Sequence, residues 1–291
     1  MSQRSVHCEQ LPNGLTVVLH ETDTAPVAEF QIWARAGSAD ERDDERGLAH
    51  FLEHMLFKGT ARRGLGEIAG EVEGAGGRIN AYTSHDVTVY HATTPSDAFE
   101  TGVDVLCDAV LHSTFDPDEI AREIEVVLEE IRRSDDSPGS VLSNAVFDTA
   151  FAEHPYRHPI LGTRESVAGF DRARVRRFYD RWYAPDNLVA IAVGCFDRAK
   201  VLDAIRSAFA DRAPSGARRA RRAEPPQREL RAAILSRPFE RASVEIAYPG
   251  VALSHPEEEF AEMLVKAAAL LRAIGRAAGR DDAWWEPPLR R

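Results

Sequence analysis

The sequence predicts an α+β protein with a mainly antiparallel sheet flanked by helices. Three observations support this fold class. Short runs of alternating apolar residues, typical of strands, are mixed with longer helical runs. Two runs rich in Thr, Val and Tyr are joined by a short polar turn, as in a hairpin. Several helical runs also follow one another directly. This mixture of hairpins and consecutive helices favours the α+β class.

The composition indicates a globular protein that does not bind nucleic acid. The chain has 291 residues, a net charge of −11 and 44% hydrophobic residues, enough for one large domain or two smaller ones. The acidic balance argues against nucleic acid as the main partner. No apolar run is long enough to span a membrane, and the first residues lack a signal peptide's apolar segment. Cys8, Cys107 and Cys195 are widely separated, so we expect a reducing, cytoplasmic location and no membrane partner.

The first third of the chain predicts two strands, two helices and a hairpin. An Asn-Gly turn signal opens LPNGLTVVLHE, the first predicted strand, and APVAEFQIWARAG predicts the second. After the charged stretch DERDDERG, a helix runs to about Phe57, and GEIAGEVEGAGG predicts another helix that ends on glycines. Residues 77–95 then predict a hairpin around a polar turn at residues 84–86.

The middle of the chain predicts mainly helices. Helical patterns cover residues 96–115, 116–133, 141–151, 169–183 and 197–212. An irregular loop marked by Pro155 and Pro159 follows the third of these helices. A buried-type strand, NLVAIAVGCF, precedes the last one.

Residues 213–229 form the clearest boundary in the sequence. Pro, Gly and Ser are mixed there with four arginines, Arg218, Arg219, Arg221 and Arg222. A solvated linker is favoured over a basic docking patch, and ASVEIAYPG after it predicts a new strand. The predicted organisation is an N-terminal domain, a linker, the start of a second domain and a tail, at residues 1–212, 213–229, 230–264 and 265–291.

The stretch GLAHFLEHMLFKGT predicts a metal site. His50 and His54 are four residues apart, so on a helix both imidazoles point to the same side, with Glu53 beside them. Two imidazole ligands and a carboxylate that acts as general base are the arrangement of a zinc hydrolase. The surrounding residues are apolar, and burying three ionisable groups there without a role is costly. The spacing is also that of the H-x-x-E-H signature of zinc peptidases.

Such a site requires a third protein ligand, and the predicted helix at residues 116–133 offers several carboxylates. They are Glu119, Glu123, Glu125, Glu129 and Glu130. On a helical wheel, Glu125 and Glu129 lie opposite the apolar stripe and should be solvated, whereas Glu123 and Glu130 flank it. The wheel leaves open which of these two touches the metal.

Several ordered motifs together resemble a known family. HFLEHMLFKGT, GGRINAYTS, EIEVVLEE and HPYRHPILG are similar to the inverzincin zinc metallopeptidases, which include pitrilysin, insulin-degrading enzyme and the mitochondrial processing peptidase. The likeness covers roughly residues 7–264 and is greatest to the bacterial processing-peptidase-like group. It implies an α+β unit that is duplicated in the family, with the two halves closing around the substrate.

The resemblance also implies roles for individual residues. By it, His50, His54 and Glu130 are zinc ligands, Glu53 is the catalytic general base, and Glu123 supports catalysis without binding metal. The resemblance further implies that an edge strand binds an extended peptide substrate through its main chain. Its residues are Asn80, Ala81, Tyr82 and Thr83.

The end of the chain departs from the family pattern. Residues 230–291 are too few for a second copy of the unit, and the Ala- and Arg-rich stretch from about residue 265 matches nothing in the family. We therefore expect a chain truncated in its second half, which supplies an Arg and a Tyr for oxyanion stabilisation in the family.

Three functions follow from these observations. The first is a zinc endopeptidase that acts on peptides or unfolded polypeptides. The second is a non-catalytic or half subunit that binds peptides or pairs with a partner, either a second peptidase-like half or another copy of itself. The third, disfavoured, is a metal lyase with Cys107 or Cys195 as third ligand.

Overall fold

The computed structural model describes residues 6–239, 242–248 and 250. The chain divides into two compact units, of which the first comprises Met1–Pro226 and Arg231–Glu245. All helices and strands given below belong to this first unit. In the second unit, only residues 227–230, 246–248 and 250 are described. Residues 251–264 of the predicted second domain and the whole predicted tail lie outside the described residues.

A single six-stranded sheet forms the centre of the first unit. Its strands are β1 (His7–Gln10), β2 (Thr16–Glu21), β3 (Val27–Ala34), β4 (Arg78–Thr83), β5 (Thr88–Pro95) and β6 (Leu188–Gly194). Their order across the sheet is β1-β2-β6-β3-β5-β4, and every neighbouring pair is antiparallel except the parallel pair β2 and β6. The predicted α+β class with a mainly antiparallel sheet is confirmed.

Eight α-helices flank the sheet in the described part of the chain. They are α1 (Leu48–Met55), α2 (Glu67–Gly74), α3 (Phe99–His112), α4 (Pro117–Asp135), α5 (Pro138–Ala150), α6 (Arg164–Ala168), α7 (Arg172–Trp182) and α8 (Arg198–Ala208). No described helix is long and apolar enough to cross a membrane. Seven helices occupy predicted segments, whereas α6 has only five residues, too few to show helical periodicity.

The core lies between the sheet and the helices that pack on it. Along β3, buried and partly exposed positions alternate, and the buried side chains include Phe30 and Ile32. Helix α3 packs against β3 and β5 with the apolar side chains of Val103 and Leu106 buried. Strand period two and helix period 3.6 therefore direct apolar residues into one shared core.

The start of α1 is fixed by a buried carboxylate. Glu41 accepts hydrogen bonds from the backbone N–H groups of Gly47 and Ala49, at 2.9 and 2.8 Å. These are donors at the first turn of the helix, which lack partners within it. Gly47 has a φ of +92°, and a side chain there would meet the carbonyl oxygen of Leu161. Burial raises the pKa of Glu41 to about 8, although the two backbone hydrogen bonds oppose this shift.

Part of the segment that was expected to be a solvated linker is bound to the first unit. Arg221 is partly buried and forms ion pairs with Asp40 and with Asp86, which lies in the turn after β4. The carboxylate of Glu224 accepts hydrogen bonds from three consecutive backbone N–H groups at residues 152–154. The interpretation of these arginines as uniformly solvated is wrong for Arg221, because its partners come from distant parts of the chain.

The prediction of a strand in ASVEIAYPG is wrong for the part that is described, because residues 242–248 form no strand. A strand needs a neighbour to receive its backbone hydrogen bonds. Within the described residues, no strand pairs with this segment.

Candidate metal centre

Helix α1 brings His50 and His54 together on one side, one helical turn apart. Their ring centroids are 4.6 Å apart. Both side chains are mostly buried, with 14% and 20% of their surface exposed. Leu48, Phe51 and Leu52 on the same helix are fully buried and fix its orientation against the core. Packing of the apolar face of α1 therefore holds the two imidazoles at a partly open surface.

Glu130 on α4 completes a group of three possible ligands. Its Oε2 lies 3.7 Å from Nε2 of His50 and 3.8 Å from Nε2 of His54. One donor atom from each of the three residues lies within 4.8 Å of the others. Zinc binds His nitrogen and carboxylate oxygen at about 2.0–2.2 Å, so ligand atoms around a tetrahedral ion are roughly 3.4 Å apart. The residues present therefore fit a zinc ion in both chemistry and spacing.

Glu123, the other glutamate that flanks the buried stripe of α4, contacts the opposite ring nitrogen of His54. Its Oε1 lies 2.7 Å from Nδ1 of His54, and its Oε2 lies 2.5 Å from Nζ of Lys58. Only 3% of Glu123 is exposed. This hydrogen bond leaves Nε2 of His54 facing Glu130, and among the described residues the group of possible metal ligands does not include Glu123. The helical wheel left open whether Glu123 or Glu130 faces the metal. In the structure the two differ in their partners, because Glu123 is bound by His54 Nδ1 and Lys58, and Glu130 faces Nε2 of both histidines.

Glu53 lies beside the group of three and contacts the sheet. The Thr83 hydroxyl donates a hydrogen bond of 2.5 Å to Oε2 of Glu53. Burial raises the pKa of Glu53, and the hydrogen bond from Thr83 and the charge of His54 only partly oppose this effect. A carboxyl with a raised pKa is a better proton acceptor and donor near neutral pH.

The two histidines experience opposite electrostatic environments. Burial, together with the neighbouring His54, lowers the pKa of His50 to about 4, which favours the neutral ring that a metal requires. For His54, burial also favours the neutral ring, but the hydrogen bond to Glu123 and the charges of Glu130, Glu123 and Glu53 outweigh it and raise the pKa. Nδ1 of His50 is buried and has no hydrogen-bond partner among the described residues.

Strand β4 lies at the edge of the sheet, next to this site. It pairs with β5 on one side, and no strand of the described chain pairs with its other side. Asn80 and Tyr82 are exposed, whereas Ala81 and Thr83 are partly buried. The expected edge position is therefore observed, and its use for substrate stays a prediction.

Sequence reasoning missed two contacts of this site. Lys58 was not identified, although it follows His54 by four residues, and α1 ends at Met55 before it. The bond between Thr83 and Glu53 joins residues 30 positions apart and has no signal in either segment. The lyase alternative loses support, since Cys107 is buried in the core on α3 and neither candidate cysteine belongs to the described group of possible ligands.

Comparison with family models gives two matches. Residues 16–164 match the model described as insulinase, peptidase family M16, and residues 169–267 match that of the M16 inactive domain. An uncharacterized zinc protease of Streptomyces coelicolor is 35% identical over 83% of this chain and 54% of its own length. One from Bacillus subtilis, YmxG, is 36% identical over 62% of this chain and 44% of its own length. The chain thus spans about half the length of the curated relatives that it matches.

Solved structures give a consistent result. A protease from Helicobacter pylori has a TM-score of 0.70 and 27% identity, covering 78% of this chain and 54% of that one. Pitrilysin has a TM-score of 0.69 at 21% identity, covering 77% of this chain and 24% of that one, which is a likeness of fold.

Proposed function

The chain belongs to the insulinase family of peptidases, family M16, and on that premise we propose that it is a zinc-dependent endopeptidase. The observation that carries the proposal is the position of Oε2 of Glu130. It lies 3.7 Å from Nε2 of His50 and 3.8 Å from Nε2 of His54. Two imidazoles and one carboxylate are a common protein ligand set of catalytic zinc.

Each residue of the site has a role in the proposed reaction. Zinc, when bound, supplies a Lewis acid that activates water and polarises the peptide carbonyl. His50, His54 and Glu130 would hold the ion. Glu53 would accept a proton from the attacking water and pass it to the leaving amine. Thr83 would keep the Glu53 carboxylate in place through its hydrogen bond.

We further propose that β4 binds the substrate as an additional strand. Its free edge offers backbone N–H and C=O groups at residues 78–83, and Thr83 lies directly against Glu53. Backbone pairing places few demands on the side chains of a substrate, so peptides and unfolded polypeptides are the expected class.

A second candidate function is a half subunit that needs a partner half or a second copy of itself for activity. The observation that favours it is the share of the relatives that the chain covers, about half. In this case the zinc site is intact, but oxyanion stabilisation and enclosure of the substrate come from the other half.

Metal analysis and peptide cleavage test these proposals together. The chain should bind one zinc, and Glu53→Gln should keep the metal but lose on the order of 10²-fold or more in cleavage rate, because the amide cannot accept a proton. Cys107→Ser serves as a control and should keep both properties. Zinc loss in Cys107→Ser but not in Glu130→Gln would support the lyase instead. Cleavage that appears only after addition of a separately expressed second half would support the half subunit.

A further inference from the structure

The candidate metal centre holds an excess of acidic groups. Glu53, Glu123 and Glu130 lie around two imidazoles. Among the described residues, Lys58 is the one lysine or arginine that forms an ion pair with any of these three carboxylates. A divalent cation and Lys58 together balance the three negative charges, so the lysine is part of the charge balance of the site.

We propose that Lys58 is a positioning residue of the metal centre, which acts by holding Glu123 in the orientation that aligns His54; this inference rests on the proposed zinc site. The two oxygens of Glu123 are divided between two partners, Nδ1 of His54 at 2.7 Å and Nζ of Lys58 at 2.5 Å. With Oε2 occupied by the ammonium group, Glu123 stays turned toward Nδ1, and Nε2 of His54 stays turned toward Glu130.

Burial makes this contact necessary for Glu123. The carboxylate is almost fully buried, and an ionised carboxylate in such surroundings needs paired charge and satisfied hydrogen bonds. The His54 ring supplies one partner, and Lys58 supplies the other. Without Lys58, the Glu123 carboxylate would turn away from Nδ1 of His54 toward solvent, or it would compete with His54 for the metal. Either change would disturb the geometry of the metal ligands.

The backbone presents Lys58 from a turn that is tied to the region before α4. The N–H of Lys58 donates to the carbonyl of Met55 at 3.1 Å, at the end of α1. The next residue, Gly59, accepts a hydrogen bond of 3.1 Å from the N–H of Thr114, and Thr60 forms a bridge with Ser113. The lysine is therefore fixed between α1, which carries the histidines, and α4, which carries Glu123.

The sign of the effect on zinc affinity separates this role from simple electrostatics. Removal of a nearby positive charge should by itself strengthen binding of a cation. Loss of a residue that orients a metal ligand should instead weaken binding, typically by about 10- to 100-fold. Lys58→Met removes the charge and keeps much of the side-chain length, so it distinguishes the two effects.

The experiment measures zinc affinity of the full chain by competition with a chromophoric chelator. Lys58→Met should weaken binding by about 10- to 100-fold, and Lys58→Arg should recover most of the loss because it retains a cation at that position. Lys200→Met, which removes an exposed lysine paired with Glu100 on α3, should bind zinc as the unmodified chain does. Circular dichroism establishes that each variant is folded.

A double-variant cycle completes the test. If Lys58 acts through Glu123, Lys58→Met should cause little further loss in a Glu123→Gln chain. Unchanged or tighter zinc binding by folded Lys58→Met would overturn the inference, as would equal losses in both backgrounds. Failure of the unmodified chain to bind zinc would instead overturn the proposed metal site, so the two failures are distinguishable.

Discussion

At the scale of single residues, Glu123 and Glu130 lie on the same side of α4 but contact different atoms of the same imidazole. Glu130 faces Nε2 of His54, and Glu123 accepts from Nδ1. A metal-binding His almost always has a hydrogen-bond partner on its other ring nitrogen, and in His54 that partner is Glu123. In the proposed zinc site, the two glutamates would therefore have complementary roles, Glu130 as a ligand and Glu123 as its support.

Zinc binding should distinguish Glu130 from its neighbour. Glu130→Gln removes a charged ligand and should lower zinc affinity strongly, whereas Glu129→Gln should leave it unchanged, because Glu129 points to solvent and pairs with Arg132. Titration of metal-free protein with zinc measures both values. Equal affinities of the two variants would remove Glu130 from the ligand set.

The hydroxyl of Thr83 should matter for turnover more than for metal binding. Thr83→Val removes the hydrogen bond to Glu53 and keeps the shape of the side chain, so we expect a lower kcat with normal zinc content. Thr93→Val is the matched control, since it removes a hydroxyl bond of 3.0 Å to Glu29. If both variants cleave peptides at the same rate, Thr83 does not position Glu53.

Part of the site was predictable from residues near one another in sequence. The spacing of His50, Glu53 and His54 on one short helix indicated the metal and the base. The helical wheel narrowed the third ligand only to Glu123 or Glu130, because helical periodicity gives the direction of a side chain and not its distance from the metal. Lys58 and the Thr83 contact depend on how α1, α4 and β4 pack, and no local pattern carries that information.

At the scale of elements, α1 depends on the Glu41 carboxylate that binds its first turn. The pKa of Glu41 is about 8 in the folded protein, well above the ordinary value of 4.5. Between these two values the folded state binds a proton that the unfolded state has lost. The contribution of Glu41 to the free energy of unfolding is therefore largest below about pH 4.5 and decreases as the pH rises toward 8.

Replacement of this carboxyl should flatten the pH dependence of stability. In Glu41→Gln, the free energy of unfolding should change less between pH 5 and pH 8 than in the unmodified chain, because one titrating group is gone. Denaturant unfolding of metal-free protein at several pH values measures the slope. The control is Asp44→Asn, which removes a carboxylate at an exposed position nearby and should leave the slope unchanged. Identical slopes in Glu41→Gln and the unmodified chain would contradict the prediction.

Elements with a strong local pattern were predicted well, and those that depend on a neighbour were not. The alternation in β3 and the apolar stripe of α4 are visible in the sequence. Strand β1, with the residues HCEQ, has no apolar alternation and exists because it pairs with β2. Residues 242–248 have the opposite property, a strand-like composition without a described partner strand.

At the scale of the whole molecule, the candidate ligands all belong to the first compact unit. His50, His54 and Glu130 come from two helices that pack directly on each other. The proposed metal site would therefore not require any residue beyond that unit. Enclosure of the substrate is a separate requirement, since the free edge of β4 is exposed at Asn80 and Tyr82.

The chain alone should consequently bind zinc and cleave peptides slowly. An open site leaves water around the reacting groups, and electrostatic stabilisation is weaker in that environment. We expect turnover of a quenched peptide well below about 1 s⁻¹, the lower end of typical enzyme rates. Stopped-flow fluorescence with the zinc-loaded chain measures it. Turnover at or above that rate would show that the first unit suffices for efficient catalysis.

The ion pairs of Arg221 and the hydrogen bonds of Glu224 also determine where the gene can be divided. The last described helix ends with Ala208. A recombinant fragment that stops there would leave the fully buried carboxylate of Asp40 without its guanidinium partner, Arg221. It would also leave the N–H groups at residues 152–154 without their acceptor. Both losses destabilise a fold. Arg231 pairs with Glu224, and Arg231–Glu245 belongs to the same unit. Fusion proteins, domain swaps and crystallisation fragments built from this unit should therefore place their junction after Glu245.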